Sequence, residues 1–246
     1  MDIYGLLGRD IAYSLSPKIH ERLWSERGAR DSTYRIFDRA DLVGFVEEVR
    51  RCQECMGFNV TTPYKEDILP LLDTLSPTAQ AVGAVNTVKC VRSPGSENIR
   101  LEGFNTDVEG FSVYMEGRVG GKALLLGSGG AAKAVKFAFE RASVKVTVVS
   151  RNREKGDKIY EELDAKEVES YDWLVNCTPL GSLKVPGVIP PIPYEGIGEH
   201  QTLIDLTYNP AETPFLKEGR KRGATTLNGL AMLEAQAIAA QGIWRK

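Results

Sequence analysis

Between a short apolar run, Lys122–Leu126, and an alanine-rich stretch lies Gly127-Ser128-Gly129-Gly130-Ala131-Ala132, a G-x-G-x-x-A turn. Few local patterns restrict a chain so tightly. Glycines allow the sharp turn and a close approach of backbone to a pyrophosphate, and a small third residue lets helix and strand pack closely. The helix that follows would present free N–H groups and the positive end of its dipole to phosphate oxygens. A glycine turn alone also serves plain packing. Here a second apolar run, Lys145–Val149, completes strand, turn, helix (Ala131–Ala142) and strand, which is the context that favours a dinucleotide-binding unit.

The residues after that second strand bear on the cofactor. A unit built for NAD places Asp or Glu there to hold the ribose hydroxyls. This chain reads Ser150-Arg151-Asn152-Arg153-Glu154-Lys155 instead. No acid follows the strand directly, and Arg151, Arg153 and Lys155 are suited to a 2′-phosphate. NADP is therefore the expected cofactor. The plainer alternative is a solvated basic turn, and Glu154 dilutes the signal.

The rest of the chain alternates strand-like and helix-like runs, so an α/β class is expected. Strands are expected at Ile3–Leu7, Thr33–Phe37, Met56–Thr61, Val85–Val91, Ile99–Phe104, Trp173–Cys177 and Leu203–Leu206. Helices are expected from Pro17 to about Arg27, with Ser16 as N-cap and Pro17 as first helical residue, and at Asp41–Arg51. Others should start at Thr62-Pro63 and run toward Leu72, run from an Asn105-Thr106-Asp107 cap to near Gly117, and cover Gly229–Ala240. Turns or loops fall at Ser93–Ser96, Gly117–Gly121 and the proline-rich Pro186–Pro193. With 246 residues, the expected division is a first domain over 1–104, completed by a C-terminal helix at 229–246, and a dinucleotide-binding domain over 105–228.

Composition excludes several classes. The net charge is −2 and the longest Lys/Arg run is three residues, Arg220-Lys221-Arg222, so no extended basic stretch points to nucleic acid. Apolar runs are strand-sized, which argues against a membrane span, and the N-terminus lacks the features of an export signal. Cys52, Cys55, Cys90 and Cys177 are too few for a disulfide framework, and no second pair extends Cys52/Cys55 to a zinc site. His20 and His200 are too few and too far apart to suggest a metal site. A cytoplasmic protein with free thiols and no metal is expected.

Two residues outside the glycine turn stand out. In Gly57-Phe58-Asn59-Val60-Thr61-Thr62-Pro63-Tyr64-Lys65, a helix starting at Pro63 would put Lys65 in its first turn. A capping box would place Glu or Gln there, and the helix dipole disfavours a cation at that end. Such a site suits a group that exchanges a proton. Asp107, in Asn105-Thr106-Asp107, is the natural partner for that ammonium. Spacing alone does not bring them together: a solvated lysine and an ordinary N-terminal carboxylate are the plain readings.

Seven segments in order nevertheless resemble the shikimate dehydrogenases over nearly the full length. These are Ser14-Leu15-Ser16-Pro17, Asn59–Lys65, Ala84-Val85-Asn86-Thr87, Asn105-Thr106-Asp107, Gly127–Ala131, Asp205–Pro210 with Thr213-Pro214, and Gly229–Gln236. The resemblance implies an α/β substrate domain, a doubly wound Rossmann-type NADP domain and an active site in the cleft between them. It implies NADP-dependent interconversion of 3-dehydroshikimate and shikimate, in aromatic amino-acid biosynthesis. Residue by residue, it assigns Ser14, Ser16, Thr61, Asn86, Tyr208 and Gln236 to the substrate, and Lys65 with Asp107 to acid–base chemistry. It assigns Gly127, Ser128, Gly129, Gly130, Ala131, Ser150, Arg151, Asn152, Lys155, Thr178, Leu206 and Gly229 to the cofactor. Hydroxyl and amide side chains suit a small polyol acid, whose hydroxyls need directional partners.

The chain departs from the family pattern at Tyr13, where histidine is common, at Ser182, where methionine is common, and at its end, soon after Trp244, where relatives carry another helix. A quinate or dual quinate/shikimate dehydrogenase is the nearest alternative. A non-catalytic metabolite sensor is a more distant one, which would be expected to have lost Lys65 or Asp107. A monomer or homodimer acting on a small molecule is expected.

Overall fold

The computed structural model describes residues 1–28, 31–92, 99–117 and 119–245. The expected Ser93–Ser96 turn, Arg118 and Lys246 lie outside them. The described residues form two compact units, 1–110 with 234–246, and 111–233.

The first unit begins with β1 (Asp2–Gly8), α1 (Ser16–Glu26), β2 (Ser32–Asp38), α2 (Leu42–Arg51) and β3 (Cys55–Val60). It continues with β4 (Thr74–Leu75), α3 (Pro77–Val82), β5 (Thr87–Arg92), β6 (Ile99–Phe104) and α4 (Asp107–Ser112). Its sheet has the order β2-β1-β3-β5-β6-β4. β1 pairs in parallel with β2 and β3, whereas β5 runs antiparallel to both β3 and β6. The C-terminal ends of β1, β3 and β6 and the N-terminal end of β5 therefore share one edge. Ser14 and Ser16 follow β1, Lys65 follows β3, Asn86 precedes β5 and Asp107 follows β6. The topology brings these side chains together, as carboxyl ends of strands commonly do for ligands. Phe45, Phe58, Ile68, Val85, Val88 and Leu101 form one core beneath α2 and the sheet.

The second unit contains β7 (Lys122–Leu126), α5 (Gly130–Arg141), β8 (Lys145–Val149), α6 (Ala165–Glu169), β9 (Trp173–Asn176), β10 (Thr202–Asp205), α7 (Pro214–Lys221) and β11 (Thr225–Asn228). Every pairing is parallel and the order is β11-β10-β9-β7-β8. The chain moves from β7 to one neighbour, β8, and then to the other, β9, so the strand order reverses beside the end of β7. That switch point is where a doubly wound sheet opens a ligand crevice, and Gly127 sits there. β7 and β9 are fully buried apart from Lys122, as expected for strands covered on both faces. Leu124, Leu126, Leu174, Leu203 and Phe215 make up much of the core.

The chain returns to the first unit through α8 (Leu230–Trp244). Trp244 packs with Tyr4, Trp24, Tyr34 and Ala240 in a second core cluster, and its indole N–H donates to the Val88 carbonyl at 2.9 Å. α8 is thus four residues longer than its expected end at Ala240, because Ala240 and Trp244 are both buried.

Other expected elements are corrected. α1 starts at Ser16, with Leu15 rather than Ser16 as N-cap and no capping side chain. The Ser16 N–H instead donates to Ser14 Oγ at 3.2 Å. No regular helix spans Thr62–Leu72: that stretch is a chain of turns ending in a short 3-10 helix, Leu69–Leu71. In an α-helix the Lys65 carbonyl would accept from the Leu69 N–H. It accepts from Val85 at 2.8 Å, and Leu69 turns to Glu66. α4 gives way to a 3-10 turn at Val113–Met115, and β5 starts at Thr87 rather than Val85. α3 and α7, capped by Ser76 and Thr213, have N-cap–Pro starts that were not read from the sequence.

Candidate active site

Lys65 Nζ lies 2.7 Å from Asp107 Oδ2, with the two side chains 15% and 7% exposed. The pair is thus enclosed but not sealed. Without a helix at residues 62–72, the dipole argument for Lys65 does not apply; the lysine is held by Asp107 and by the tight turn after β3. Asp107 is in turn fixed by Asn86, whose Nδ2 donates to Oδ1 at 2.8 Å. Asn86 has no freedom to flip, because its Oδ1 accepts the Thr106 N–H at 2.7 Å. Asn105 Oδ1 accepts the Asp107 N–H at 3.1 Å, and its amide donates to the Ala84 carbonyl. A lysine ammonium has three donors. One is taken by Asp107, which leaves the ammonium able to meet a substrate oxygen as well.

Of the other expected substrate residues, Ser14 and Ser16 meet through their hydroxyls at 3.1 Å. Thr61 is tied to β1 by its backbone, donating to the Leu7 carbonyl at 2.8 Å. Gln236 is buried on α8. Tyr208 belongs to the second unit.

Residues not singled out from the sequence join Asn86. Asn59 donates through Nδ2 to Thr87 Oγ1 at 2.9 Å and to the Asn86 carbonyl, and its Oδ1 accepts from Tyr34 at 2.7 Å. Thr87 Oγ1 lies 3.1 Å from both Asn86 Oδ1 and Thr106 Oγ1. Asn59, Asn86, Thr87 and Thr106 are all buried. Buried polar groups of this kind are stable only when paired, so polar residues inside otherwise apolar strands were the available signal.

In the second unit, Gly127 has φ +109°, which L side chains rarely adopt. Its N–H donates to the Val149 carbonyl at 2.8 Å. Gly129 is the N-cap of α5 and Gly130 its first residue, so the Gly130 and Ala131 amides stand at the open end of a three-turn helix. Ser128 and Ser150 link the turn to the end of β8, with their hydroxyls 3.0 Å apart. Ser150 Oγ also accepts the Asn152 N–H, and Asn152 Oδ1 accepts that of Glu154. A recess of about 310 Å³ is lined by Ser128, Lys133, Lys136 and Lys155 together with Glu154 and Asp157. Arg151 is exposed beside it in sequence.

The basic turn differs from its expected form in two ways. The Arg153 guanidinium is paired with Glu162, so its charge is already partnered. An acid does come back to β8: Asp157 Oδ2 accepts the Val148 N–H at 2.8 Å, which commits one carboxylate oxygen to the backbone. Lys133 and Lys136, in the first two turns of α5, also line the recess, Lys136 while pairing with Glu140 at 3.5 Å.

Thr178 and Leu206 are organised by one buried amide. Asn176 Oδ1 accepts from the Thr178 N–H and hydroxyl at 3.0 and 2.6 Å, and the Asn176 carbonyl accepts the Leu206 N–H. Its Nδ2 donates to Asp205. Burial raises the Asp205 carboxyl above the ordinary range, while bonds from Thr213, the Thr207 amide and Asn176 act the other way. A Cβ on Gly229 would collide with the Leu206 carbonyl, so only glycine lets the start of α8 approach the β10 loop this closely. Among the described residues, no three His, Cys, Asp or Glu side chains gather to hold a metal ion, and no helix is long and apolar enough to cross a membrane.

An all-parallel sheet with a glycine turn and a basic recess at its switch point, and a separate α/β unit carrying an enclosed Lys–Asp pair, define a dinucleotide-dependent oxidoreductase with its own substrate domain. A family model described as the shikimate dehydrogenase substrate binding domain matches residues 6–88. A shikimate dehydrogenase (NADP(+)) of Clostridium beijerinckii is 36% identical across all of this chain and 93% of its own length. The solved structure of shikimate 5-dehydrogenase from Thermus thermophilus in complex with NADP(H) and shikimate is 35% identical, covering 99% of this chain and 93% of that one, with a TM-score of 0.86. A quinate dehydrogenase from Corynebacterium glutamicum in complex with NAD is also similar, at 29% identity and a TM-score of 0.82. The chain belongs to the NADP-dependent shikimate dehydrogenase family.

Proposed function

We propose that this chain reversibly reduces 3-dehydroshikimate to shikimate with NADPH, as a cytoplasmic enzyme, monomeric or homodimeric. The observation that carries the reading is the enclosed Lys65–Asp107 pair on a domain whose relatives bind shikimate. The nicotinamide, when bound, supplies the hydride to the carbonyl carbon. Reduction also requires a proton on the carbonyl oxygen. Lys65 Nζ gives that proton in reduction and recovers it in oxidation, and its cation stabilises the developing oxyanion. Asp107 holds the ammonium in place, and Asn86 holds Asp107. Ser14 and Ser16 bind the substrate carboxylate, while Thr61, Asn86, Tyr208 and Gln236 hold its carboxylate and ring hydroxyls.

The residues fit an NADP molecule. Gly127 makes the turn, and the amides of Gly129, Gly130 and Ala131 with the Ser128 hydroxyl suit the pyrophosphate, at a helix N-terminus that favours anions. Ser150, Arg151, Asn152 and Lys155 suit the adenosine 2′-phosphate, supported by Lys133 and Lys136. Thr178, Leu206 and Gly229 form the part of the loop cluster that takes the nicotinamide half.

Initial rates with shikimate and NADP, shikimate and NAD, and quinate with either cofactor test the reading. The highest kcat/KM is expected for shikimate with NADP. Equal or better turnover of quinate, or a preference for NAD, would replace this assignment with the activity named for the Corynebacterium relative. No turnover of either acid would remove the enzymatic reading.

A further inference from the structure

Asp205 ends β10 and is 0% exposed, as are Asn176 at the end of β9 and Thr213 at the cap of α7. Asn176 and Asp205 are in register, and Asn176 is also in register with Leu126, the residue before the Gly127 turn. The carboxylate therefore belongs to the last paired row of the sheet, where the loops of the candidate cofactor site begin. Burying an ionised carboxylate is unfavourable unless it is hydrogen-bonded, and an apolar residue would fill a strand covered on both faces without that cost. Here donors from three segments meet it. Oδ2 accepts from the Thr213 hydroxyl at 2.6 Å and from Asn176 Nδ2 at 3.1 Å, and Oδ1 accepts the Thr207 N–H at 2.9 Å.

Two of those bonds lead on to the loop cluster. A carboxylate only accepts, so it draws the NH₂ side of the Asn176 amide, as the Leu180 carbonyl does at 3.2 Å. Asn176 Oδ1 is thereby turned toward the Thr178 N–H and hydroxyl, at 3.0 and 2.6 Å. Thr207, held at its N–H by Asp205, accepts the Gly229 N–H on its own carbonyl at 3.1 Å. Leu206 lies between Asp205 and Thr207, with its N–H on the Asn176 carbonyl at 3.0 Å. The third bond steadies the next element: Thr213, while donating to Asp205, caps α7 by accepting the Leu216 N–H. Thr178, Leu206 and Gly229 thus trace back to one carboxylate through bonds that lie wholly within the second unit.

We propose that Asp205 is a positioning residue for the cofactor: its carboxylate holds Thr178, Leu206 and Gly229 in the arrangement that receives the nicotinamide half of NADP. The proposal rests on the assignment of those three residues to the cofactor. Asp205 is closed to solvent and touches neither cofactor nor substrate in this scheme. Support of this kind keeps binding groups within the narrow tolerance that a preorganised site needs. The Gly127 turn is held by other bonds, to the Val149 carbonyl and through Ser128 to Ser150. A change at Asp205 should therefore be felt at the nicotinamide and not at the phosphates.

Asp205→Asn keeps the shape and replaces one acceptor by a donor. Whichever way the new amide turns, its NH₂ faces at least one of the Thr207, Thr213 and Asn176 donors. The Kd for NADP, measured by calorimetry, is expected to rise roughly 5- to 30-fold, the scale of one hydrogen bond lost from a buried partner. The Kd for 2′-phospho-ADP-ribose, which carries the phosphates without the nicotinamide, should stay within twofold. The KM for shikimate at saturating NADP should do the same. A purely structural carboxylate would lower stability, or weaken both ligands alike, without this split. Thr213→Val deletes one donor to the same oxygen and should raise the Kd for NADP roughly two- to fivefold, with Thr213→Ser restoring it; this pair carries the test should Asp205→Asn not fold. Amide hydrogen exchange in the ligand-free protein should accelerate at Thr178 and Thr207 in Asp205→Asn and stay unchanged in β1 and β3. Equal weakening of NADP and the fragment, a Kd for NADP within twofold of wild type in Asp205→Asn, or unchanged exchange at Thr178 and Thr207 would each overturn the proposal alone. If the wild type itself does not bind NADP, the cofactor reading fails and takes this proposal with it.

Discussion

Replacing Lys65 by alanine tests chemistry and structure at once. Lys65 and Asp107 are 2.7 Å apart and only 15% and 7% exposed. At an effective dielectric near 20, two unit charges about 4 Å apart attract by about 4 kcal/mol, before either is charged with its desolvation. Removing one partner of a fully buried pair costs about 3–5 kcal/mol, because the other is left uncompensated. Asp107 would keep its bond from Asn86 Nδ2, and the lysine is not fully buried, so about 2–3 kcal/mol is expected here. For a chain of this size that corresponds to roughly 4–12 °C in Tm. The loss should fall on the first unit, whose Trp24 and Trp244 report unfolding separately from Trp173 in the second only if each is followed by its own substitution, so urea melts on Trp173→Phe backgrounds are the suitable assay. kcat should fall by a factor of roughly 10²–10⁴, the scale of a lost acid–base group. The double variant Lys65→Ala/Asp107→Ala separates the two effects. It removes the stranded carboxylate and should lose less stability than the two single variants added together, by about 1–2 kcal/mol, while its activity stays low. Lys65→Ala activity within a few-fold of wild type would refute the proton-transfer role. Strict additivity in the melts would refute the electrostatic account of the pair.

Two further perturbations test other parts of the molecule. Arg151→Ala should raise the KM for NADP by roughly 10-fold and leave the KM for NAD within twofold, since a charge-assisted bond to a phosphate contributes about 1.5–3 kcal/mol and this side chain is exposed; equal effects on both cofactors would show that Arg151 does not read the 2′-phosphate. His20 should make stability depend on pH. Burial lowers its pKa to about 3, against about 6.5 in an unfolded chain, so between those values the unfolded chain binds the extra proton. Stability is then undiminished above about pH 6.5 and falls by about 1.4 kcal/mol per pH unit as the pH drops toward 3. His20→Phe keeps the stack on Tyr34 and should flatten that slope; urea midpoints at pH 7 and pH 5 that shift equally in both proteins would refute it.

The glycine turn was legible because everything it needs is local. Strand, φ-positive glycine, helix N-terminus and second strand fall within 28 consecutive residues, and residues that close in sequence constrain one another directly. Lys65 shows the opposite case: it stood out for a helix that does not form. The Val85 N–H takes the Lys65 carbonyl, a contact across 20 residues that local propensity does not contain. The basic turn was legible as composition and not as charge. Arg153 is neutralised by Glu162 nine residues on, and Lys133 and Lys136 reach the same recess from the preceding helix.

Tyr34, Asn59 and Thr87 were illegible as site residues for a related reason. Each sits in a strand, where an aromatic, an amide and a β-branched hydroxyl pass as ordinary sheet residues. Their bonds join positions 25 and 28 apart, and no periodicity records such pairs. What makes the arrangement consequential is its completeness. A buried polar chain in which each donor has its acceptor stiffens the elements it joins, whereas the same chain with one member missing leaves several groups unpaired in low dielectric. Lys65 and Tyr34 stand at opposite ends of it. A change at Tyr34 should therefore be felt at Asn59 first, because one bond joins them. It should be weaker at Asp107, where Asn86 is separately locked by the Thr106 N–H.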